Sequence, residues 1–348
     1  MLLPLLLCLG TAVTSPPPLL MPVLPQAAFL QAESPHEEGA LSTDVLRVRT
    51  LAVMGTDLLL EACGPDPEAL DKALDAAEKE IRRVEDLMTD WRPSPLTVLN
   101  DHAGQGPVPV VAELLDLIER GLAVGKLTGG AFDITYAGAG RLWDFKADPP
   151  VLPTEEQVKA ALKNVGYGRV TVDRAAGTIE LPADMRIGLG GIAKGYGVDR
   201  AMAVLLEHGI KHALVSAGGD MKVLGRKLGE PWRIAVKHPR DDERALAVLP
   251  VTNTCVMTSG DYERFFEVDG RRYHHILDPR TGYPATGCAS GTIMAQDAAF
   301  ADAMATALCV LGPAEGIALI NRLPRVEGIA VGLDGNVLMS EGLQPPPK

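Results

Sequence analysis

The chain has 348 residues, of which 47% are hydrophobic and 22% charged, so it has enough apolar side chains for one large packed domain or two smaller ones. Its formal net charge of −12 argues against a protein that wraps nucleic acid by neutralising phosphates, and an aromatic content of 4% argues against base-stacking platforms. A small phosphate-bearing ligand is compatible with this charge, because a few local donors can hold one.

The cysteines do not indicate a disulfide framework or a zinc ribbon. There are five, an odd number, with irregular spacing and no CxxC pair. We therefore predict that the last four are buried as small hydrophobic side chains: Cys63, Cys255, Cys288 and Cys309.

The N-terminus begins with an apolar run. Residues 1–15 (MLLPLLLCLGTAVTS) are typical of the apolar region of a signal peptide and too short to cross a membrane. The first basic residue is Arg47, so a positive n-region is missing, and Leu7 precedes Cys8 where a lipobox has a small residue. Residues 16–45 are rich in Pro, Ala and acidic residues and are typical of a linker. We expect export to the periplasm or cell envelope, with inner-membrane association as an alternative.

Ordered structure is predicted from residue 46 to about 340. Residues 46–62 alternate in polarity around Met54-Gly55-Thr56, which predicts two short strands. Asp66 and Pro67 are typical of a helix start. Apolar residues at helical spacing continue this first helix: Leu70, Leu74, Ala77, Ile81, Val84 and Leu87.

Further helices and strands follow without a strict alternation. A second helix is predicted at 111–126, and a third begins at Thr154, where Thr-Glu-Glu-Gln is a capping box. Beyond residue 165 the predicted elements are a hairpin at 169–181, a helix at 192–208, a strand at 213–216, Asp-Gly hairpins at 269–270 and 334–335, and helices at 300–311 and 313–322. This mixture predicts an α+β fold.

A glycine-rich segment, 188–195 (GLGGIAKG), precedes the helix at 192–208. Glycines let a backbone approach a phosphate closely, a helix N-terminus offers unpaired N–H groups, and Lys194 supplies a positive charge. The segment is not a Walker A loop, because Lys194 is followed by neither Ser nor Thr, and a Rossmann fingerprint fits only loosely. The alternative is a glycine-rich turn with a surface lysine.

Asp302 and Thr306 are four residues apart in an apolar segment, so on a helix they share one face. Carboxylate and hydroxyl oxygens are ligands that Mg²⁺ accepts. The alternative is an exposed Asp beside a Thr that bonds back to its own helix. A buried carboxylate needs a cationic partner, and no Lys or Arg lies between Arg280 and Arg322. Either the distant Lys194 or a metal ion must therefore supply the charge.

Two adjacent histidines, His274 and His275, follow the motif at 258–262 (TSGDY). Neighbouring residues on a strand point to opposite faces, so we expect only one of them to enter a given site. A histidine beside a reacting group is a natural general base near neutral pH. The alternative is a polar turn with a hydrogen-bonded histidine.

Eight short motifs occur in the order in which a known family has them. They are 54–56 (MGT), 88–93 (MTDWRP), 128–133 (TGGAFD), 190–195 (GGIAKG), 216–220 (SAGGD), 258–262 (TSGDY), 274–282 (HHILDPRTG) and 301–306 (ADAMAT). Together they resemble the ApbE family, the FAD:protein FMN transferases, from about residue 46 to 340. Two positions depart from the family pattern: Gly188 stands where many members have Asp, and Trp91 where many have Tyr.

The resemblance implies an α+β, T-fold-related structure in which mixed sheets and helices form two lobes around an FAD cleft. Carried over by motif position, eight residues would bind FAD: Met54, Trp91, Ala131, Phe132, Asp133, Gly188, Lys194 and Ile276. Four would hold or adjoin Mg²⁺: Gly191 through its carbonyl, Asp302, Thr306 and Ala305.

The implied reaction is a magnesium-dependent transfer of the FMN half of FAD to a Thr or Ser hydroxyl of an acceptor protein, with release of AMP. His275 is the candidate for assisting the hydroxyl, with His274 as the alternative. Two other functions share these motifs: an FAD pyrophosphatase that gives free FMN and AMP, and a flavin-binding protein without turnover. The acceptor would be an exported or membrane-attached electron-transfer subunit, and no nucleic-acid partner is expected.

Overall fold

The computed structural model describes residues 44–344, which contain both strands and helices. In chain order the strands are β1 Val45–Val53, β2 Thr56–Gly64, β3 Val108–Pro109, β4 Thr171–Asp173, β5 Thr178–Glu180, β6 His212–Ala217, β7 Asp220–Leu224, β8 Trp232–His238, β9 Asp241–Val251, β10 Thr254–Gly260, β11 Phe265–Val268, β12 Arg271–His274, β13 Ser290–Ala295, β14 Glu327–Val331 and β15 Val337–Met339. The predicted signal peptide and all but the last two residues of the predicted linker lie outside the described residues.

The α-helices of the same range are α1 Pro67–Met88, α2 Pro95–Asp101, α3 Ala112–Leu127, α4 Ala137–Gly140, α5 Glu155–Leu162, α6 Ala193–Glu207, α7 Ala298–Leu311 and α8 Pro313–Ile320. Short 3-10 turns occur at Ile134–Tyr136, Tyr167–Arg169 and Glu341–Leu343. None of the helices within residues 44–344 is both long and apolar enough to span a membrane.

Eight strands form one antiparallel sheet in the order β1-β2-β6-β7-β10-β13-β14-β15. Helices α1, α6 and α7 pack together on one face of it. Because side chains alternate along a strand, Ala213 and Val215 of β6 join that main core, whereas Leu214 points to the other face. There it packs in a smaller core with Trp232 and Ile234 of the β8–β9 hairpin.

The predicted elements are largely confirmed, and so is the α+β class. The β1–β2 turn has positive φ at Met54 (54°) and Gly55 (70°), as a two-residue hairpin requires. Asp66 caps α1 by accepting from the backbone N–H groups of Glu68 and Ala69. The capping box at Thr154 starts α5. The last four cysteines are free and buried, as predicted.

Several elements were not predicted from the sequence. Helix α2 follows a capping box at Ser94 in which Thr97, rather than Glu or Gln, completes the pair. The register of the β8–β9 hairpin shifts near Lys237, and in β9 residues 242–245 are all exposed, so the alternation that predicts a strand is missing there. Strands β8, β10 and β13 were also not predicted, although the apolar and exposed residues of β8 alternate along the strand.

Candidate active site

A cavity of about 360 Å³ opens beside the β1–β2 turn, the N-terminus of α6 and the middle of α7. Most of the residues predicted for the site line it: Met54, Trp91, Ala131, Phe132, Asp133, Gly191, Lys194, His275, Ile276, Asp302 and Thr306. They come from segments far apart in sequence, and the fold brings them to one place. Three predicted residues do not line this cavity: Gly188, His274 and Ala305.

The apolar part of the wall offers flat and flexible surfaces. Trp91 stands at the rim with 63% of its surface exposed, whereas Phe132 and Ile276 are buried deeper in the wall. Met54 is held by its own turn, where its backbone N–H donates to Glu85 at 2.8 Å. An exposed indole of this kind can stack on a planar ring.

The polar centre of the cavity is a cluster of one lysine and two buried carboxylates. Lys194 Nζ lies 2.7 Å from Asp220 Oδ2 and 3.1 Å from Asp302 Oδ1. Burial alone would lower the pKa of Lys194, but the two carboxylates outweigh it and raise that pKa. Lys194 is thus the distant cation that the sequence required for Asp302, and the charge of Asp302 by itself does not demand a metal.

The cluster nevertheless contains two acidic groups and one basic group. Burial raises the pKa of Asp220, and the nearby Asp302 carboxylate adds to that effect against the attraction of Lys194. The Asp220 Oδ1 atom accepts from the backbone N–H of Thr258 at 3.0 Å. Taken as ionised groups, the three side chains carry one excess negative charge, which a cation in the cavity would neutralise.

The N-terminus of α6 is joined to α7 at this cluster. The backbone N–H of Gly195, in the first turn of α6, donates to Asp302 Oδ2 at 3.0 Å. A Cβ at residue 195 would lie 2.2 Å from the carbonyl oxygen of Ala298, so only glycine allows the two helices to approach so closely. One unpaired N–H of the helix end therefore serves a protein carboxylate rather than a ligand.

The predicted metal ligands Gly191, Asp302 and Thr306 all face the same cavity. A Cβ built on Gly191 would lie 3.5 Å from Thr306 Oγ1, so these two positions adjoin. The Thr306 hydroxyl is also 3.2 Å from Ser259 Oγ. Ala305 is fully buried, and its carbonyl oxygen is directed toward Gly291 of β13, which explains its absence from the cavity wall. Within residues 44–344 no group of three His, Cys, Asp or Glu side chains could hold a metal; the predicted set has a single carboxylate.

The two histidines point in opposite directions, as alternation predicts. His274 is buried and its Nε2 donates to the carbonyl of Ala285 at 2.8 Å. His275 faces the cavity. Burial, and then the nearby Arg264 guanidinium, lower the pKa of His275 to about 4, so its ring is neutral at pH 7. Its buried Nδ1 has no hydrogen-bond partner among the described residues.

Asp133 lines the cavity, but both of its carboxylate oxygens accept hydrogen bonds from neighbouring parts of the chain. Its Oδ1 accepts from the backbone N–H and hydroxyl of Thr135, at 2.8 and 2.6 Å, and its Oδ2 accepts from the N–H of Tyr167 at 2.8 Å. Burial raises the pKa of this carboxyl, against those hydrogen bonds. Asp133 therefore fixes the loop that carries Phe132, and direct contact with a ligand stays a prediction.

Gly188 lies behind the wall rather than in it. A Cβ there would come within 2.9 Å of the Ala137 Cβ, which cannot move aside. The same Cβ would be 3.8 Å from Asp90 Oδ2, and Asp90 itself lines the cavity. A carboxylate is thus present near the place where many family members have Asp, although the loop at 89–91 supplies it.

Sequence reasoning missed several residues of the site. Asp220 belongs to the motif at 216–220, but nothing in the sequence indicates that it forms an ion pair with Lys194. Glu263 and Arg264 line the cavity beside His275, and Ser259 and Tyr136 line it as well. A signal was available for Asp220 and Ser259, since both lie in motifs, whereas Arg264 stands in a segment without one.

The chain is similar to known proteins in both sequence and fold. A sequence model of the ApbE family matches residues 54–330. The chain belongs to the ApbE family. A Treponema pallidum protein named FAD:protein FMN transferase is 36% identical over 268 residues, which is 72% of this chain and 74% of that protein. A protein of the same name from Escherichia coli K12 is 31% identical over 310 residues, 86% of each chain.

Solved structures of ApbE proteins share the fold. The crystal structure of the Thermotoga maritima ApbE protein superposes with a TM-score of 0.79 at 36% identity, covering 86% of this chain and 98% of that one. The Vibrio cholerae flavin transferase ApbE gives a TM-score of 0.75 at 29% identity, with the same coverages of 86% and 98%. These likenesses confirm the predicted ApbE-like architecture.

Proposed function

We propose that this protein transfers the FMN half of FAD to a Thr or Ser hydroxyl of an acceptor protein and releases AMP. The observation that carries the proposal is the meeting of Lys194, Asp302 and His275 in one cavity, in a chain of the ApbE family. The names of the Treponema pallidum and Escherichia coli relatives support the same activity.

The reaction exchanges one phosphorus–oxygen bond for another. The acceptor hydroxyl oxygen bonds to the FMN-side phosphorus, the bond from that phosphorus to the bridging oxygen breaks, and AMP leaves with that oxygen. Such transfers depend mainly on positioning and on neutralising charge. Lys194 supplies a fixed positive charge at the cavity, and Asp220 and Asp302 hold its ammonium in place.

His275 is suited to take the proton of the acceptor hydroxyl. Its lowered pKa of about 4 keeps the ring neutral near pH 7, so one ring nitrogen is free to accept. The value is low for a general base, because the best base has a pKa near the working pH. The negative pyrophosphate of bound FAD would oppose the repulsion from Arg264 and raise that pKa towards the useful range.

We propose that the cavity binds a magnesium ion. The donors would be the Gly191 carbonyl, the Asp302 carboxylate and the Thr306 hydroxyl, all hard oxygen ligands. The excess negative charge of the Lys194 cluster supports a cation at this place. When bound, Mg²⁺ would neutralise charge that develops on the transferring phosphoryl group.

We also propose that the protein works outside the cytoplasm, in the periplasm or cell envelope, on an exported or membrane-attached electron-transfer subunit. The apolar residues 2–9 support this. Fractionation of the native host, with N-terminal sequencing of the recovered protein, tests it. A purely cytoplasmic pool that keeps Met1 would contradict export.

The decisive experiment is incubation of the protein with FAD, Mg²⁺ and a candidate acceptor, read by mass spectrometry. Transfer adds the mass of FMN, less water, to the acceptor and yields AMP in equal amount. Free FMN with AMP and an unmodified acceptor would indicate a pyrophosphatase instead. Tight FAD binding without either product would indicate a flavin-binding protein without turnover.

A further inference from the structure

A second, shallower cavity adjoins the first at His275. We call it the side groove; its lining residues are Asp144, Phe145, Lys146, Glu263, Arg264, Phe265 and His275. Three of these, Glu263, Arg264 and His275, also line the first cavity. The two cavities therefore share the candidate base, and the remaining four residues belong to the side groove alone.

The walls of the side groove are held by aromatic packing. Phe145 is stacked parallel to Trp143, with ring centroids 6.5 Å apart, and lies 5.6 Å from Phe266. Trp143 is buried, and its indole N–H donates to the carbonyl of Gly282 at 2.9 Å. The segment at 144–146 is thus anchored to the β11–β12 hairpin, although it has no regular secondary structure. A preformed wall of this kind reduces the entropy lost when a partner binds.

The chemistry of the side groove suits a polypeptide. Phe265 is 39% exposed, and the Arg272 guanidinium lies 4.0 Å from the centre of its ring. Two carboxylates, Asp144 and Glu263, balance two basic groups, Lys146 and Arg264. A phosphate-rich ligand would meet both carboxylates, whereas a peptide offers apolar groups and donors and acceptors of both kinds.

We propose that the side groove binds the segment of the acceptor protein that carries the Thr or Ser to be modified. This inference rests on the proposed transferase function. In the proposed function FAD occupies the first cavity, so the acceptor hydroxyl would reach His275 from a different side. The side groove provides that approach, and its opening at the shared imidazole places a bound hydroxyl next to both the base and the pyrophosphate. Phe265 and Phe145 anchor the flanking residues of the acceptor.

The test is the double variant Lys146→Glu, Phe265→Ser, since both residues line only the side groove. We expect the KM for the acceptor protein to rise at least about tenfold, the loss expected when one or two interface anchors are removed. The affinity for FAD, followed by flavin fluorescence, should be unchanged. The matched control is Lys72→Glu, Leu338→Ser, in which both exposed residues lie outside the groove. It should leave both quantities as in the wild type.

The outcomes separate the groove from the function. If the wild type transfers FMN and the double variant has the same KM for the acceptor, the side groove is not the acceptor site, although the transferase function stands. Loss of FAD affinity in the double variant would also overturn the inference, because the groove would then belong to the FAD site. If the wild type transfers nothing to any acceptor, the proposed function itself has failed. Lys146→Glu alone, at an exposed position, serves if the double variant does not fold.

Discussion

Two regions of the molecule bury acidic side chains in opposite ways. At the first, which we call the anchor, Asp261 is buried and Arg240 grips both of its oxygens, at 2.6 and 2.7 Å. A second guanidinium, from Arg272, lies 3.6 Å away. At the cavity, Asp220 and Asp302 share the single ammonium of Lys194.

The difference is one of charge balance. The anchor has two cations beside one carboxylate, so the charge of Asp261 is fully compensated, and the contact joins the β8–β9 turn to the end of β10. The cavity cluster has one cation for two carboxylates, and burial with the neighbouring Asp302 raises the pKa of Asp220. A pKa perturbed by burial and by a specific charge partner inside a cavity marks a candidate functional site. In the sequence, Asp220 and Asp261 both simply follow a glycine.

The histidine pair divides between the same two regions. The charges that act on His274 are those of the anchor, from Asp261, Arg272 and Arg240, after the burial that lowers its pKa. Those that act on His275 include Arg264 and Lys194 at the cavity. At the end of β12, His274 therefore belongs to the anchor and His275 to the cavity.

The largest expected effect is at the cavity carboxylate. Asp302→Ala should reduce magnesium-dependent FMN transfer below detection, because it removes a proposed metal ligand and the partner of both Lys194 and the Gly195 N–H. Even outer-shell partners of a metal cost about 10–100-fold when removed. Thr306→Val should weaken transfer less. The measurement is FMN transfer to the acceptor at varied Mg²⁺ concentration.

Chelation provides the control for Asp302. Removing Mg²⁺ from the wild type should mimic Asp302→Ala, and adding Mg²⁺ back should restore the wild type but not the variant. Transfer by Asp302→Ala at the wild-type rate without any divalent metal would show that the proposed metal site is wrong.

The second prediction separates the two histidines. His275→Ala should slow FMN transfer by about 10²–10⁴-fold, the usual contribution of general-base assistance, with nearly unchanged FAD affinity. His274→Ala should instead lower Tm, because it removes the buried hydrogen bond to Ala285, and should leave the transfer rate of the folded protein close to normal.

The reverse pattern, with His274→Ala slow and His275→Ala unaffected, would contradict this division of the pair. The pH profile gives an independent check. With the pKa of His275 at about 4 in the free protein, kcat/KM for FAD should hold down to about pH 5 rather than fall below pH 6.5.

The third prediction concerns the anchor. Asp261→Asn keeps the shape of the side chain but removes the charge that Arg240 binds, so it should lower the free energy of unfolding by about 1–3 kcal/mol. The Arg240 side chain is 40% exposed, which holds the cost below that of a fully buried pair. Chemical denaturation measures it. FAD affinity should not change. A loss of FAD binding with normal stability would contradict the assignment of Asp261 to the anchor rather than to the cavity.

The sequence predicts local features well and long-range contacts poorly. The cap at Asp66 and the apolar spacing of α1 are local, so they identify the helix directly. Strand alternation narrows the base to His274 or His275, but only the fold decides which of them faces the cavity. The pairing of Lys194 with Asp302 joins residues 108 positions apart, which periodicity cannot show. Charge reasoning left Lys194 or a metal ion as the partner of Asp302, and the fold shows that Lys194 makes the contact.

Gly188 shows a second limit of motif transfer. The resemblance assigned it to FAD binding, yet Ala137 fills the space where its side chain would be. The nearby carboxylate belongs to Asp90, a residue that was not predicted to be part of the site. A motif position is thus carried over reliably only where the packing around it is also preserved.

The smallest expected effect, and the sharpest contrast with Asp261→Asn, is that of Asp220→Asn. Because the folded protein raises the pKa of Asp220, ionisation of this group opposes folding. Stability from this group is present at low pH and is lost as pH rises through the raised pKa. The neutral amide should therefore cost little stability at pH 7, within about 1 kcal/mol, where Asp261→Asn costs more. The difference in unfolding free energy between Asp220→Asn and the wild type should move in favour of the variant as pH rises from 5 to 8. If Asp220→Asn loses as much stability as Asp261→Asn, without this pH dependence, then Lys194 fully compensates the charge of Asp220. The excess negative charge that supports a bound cation would then be absent.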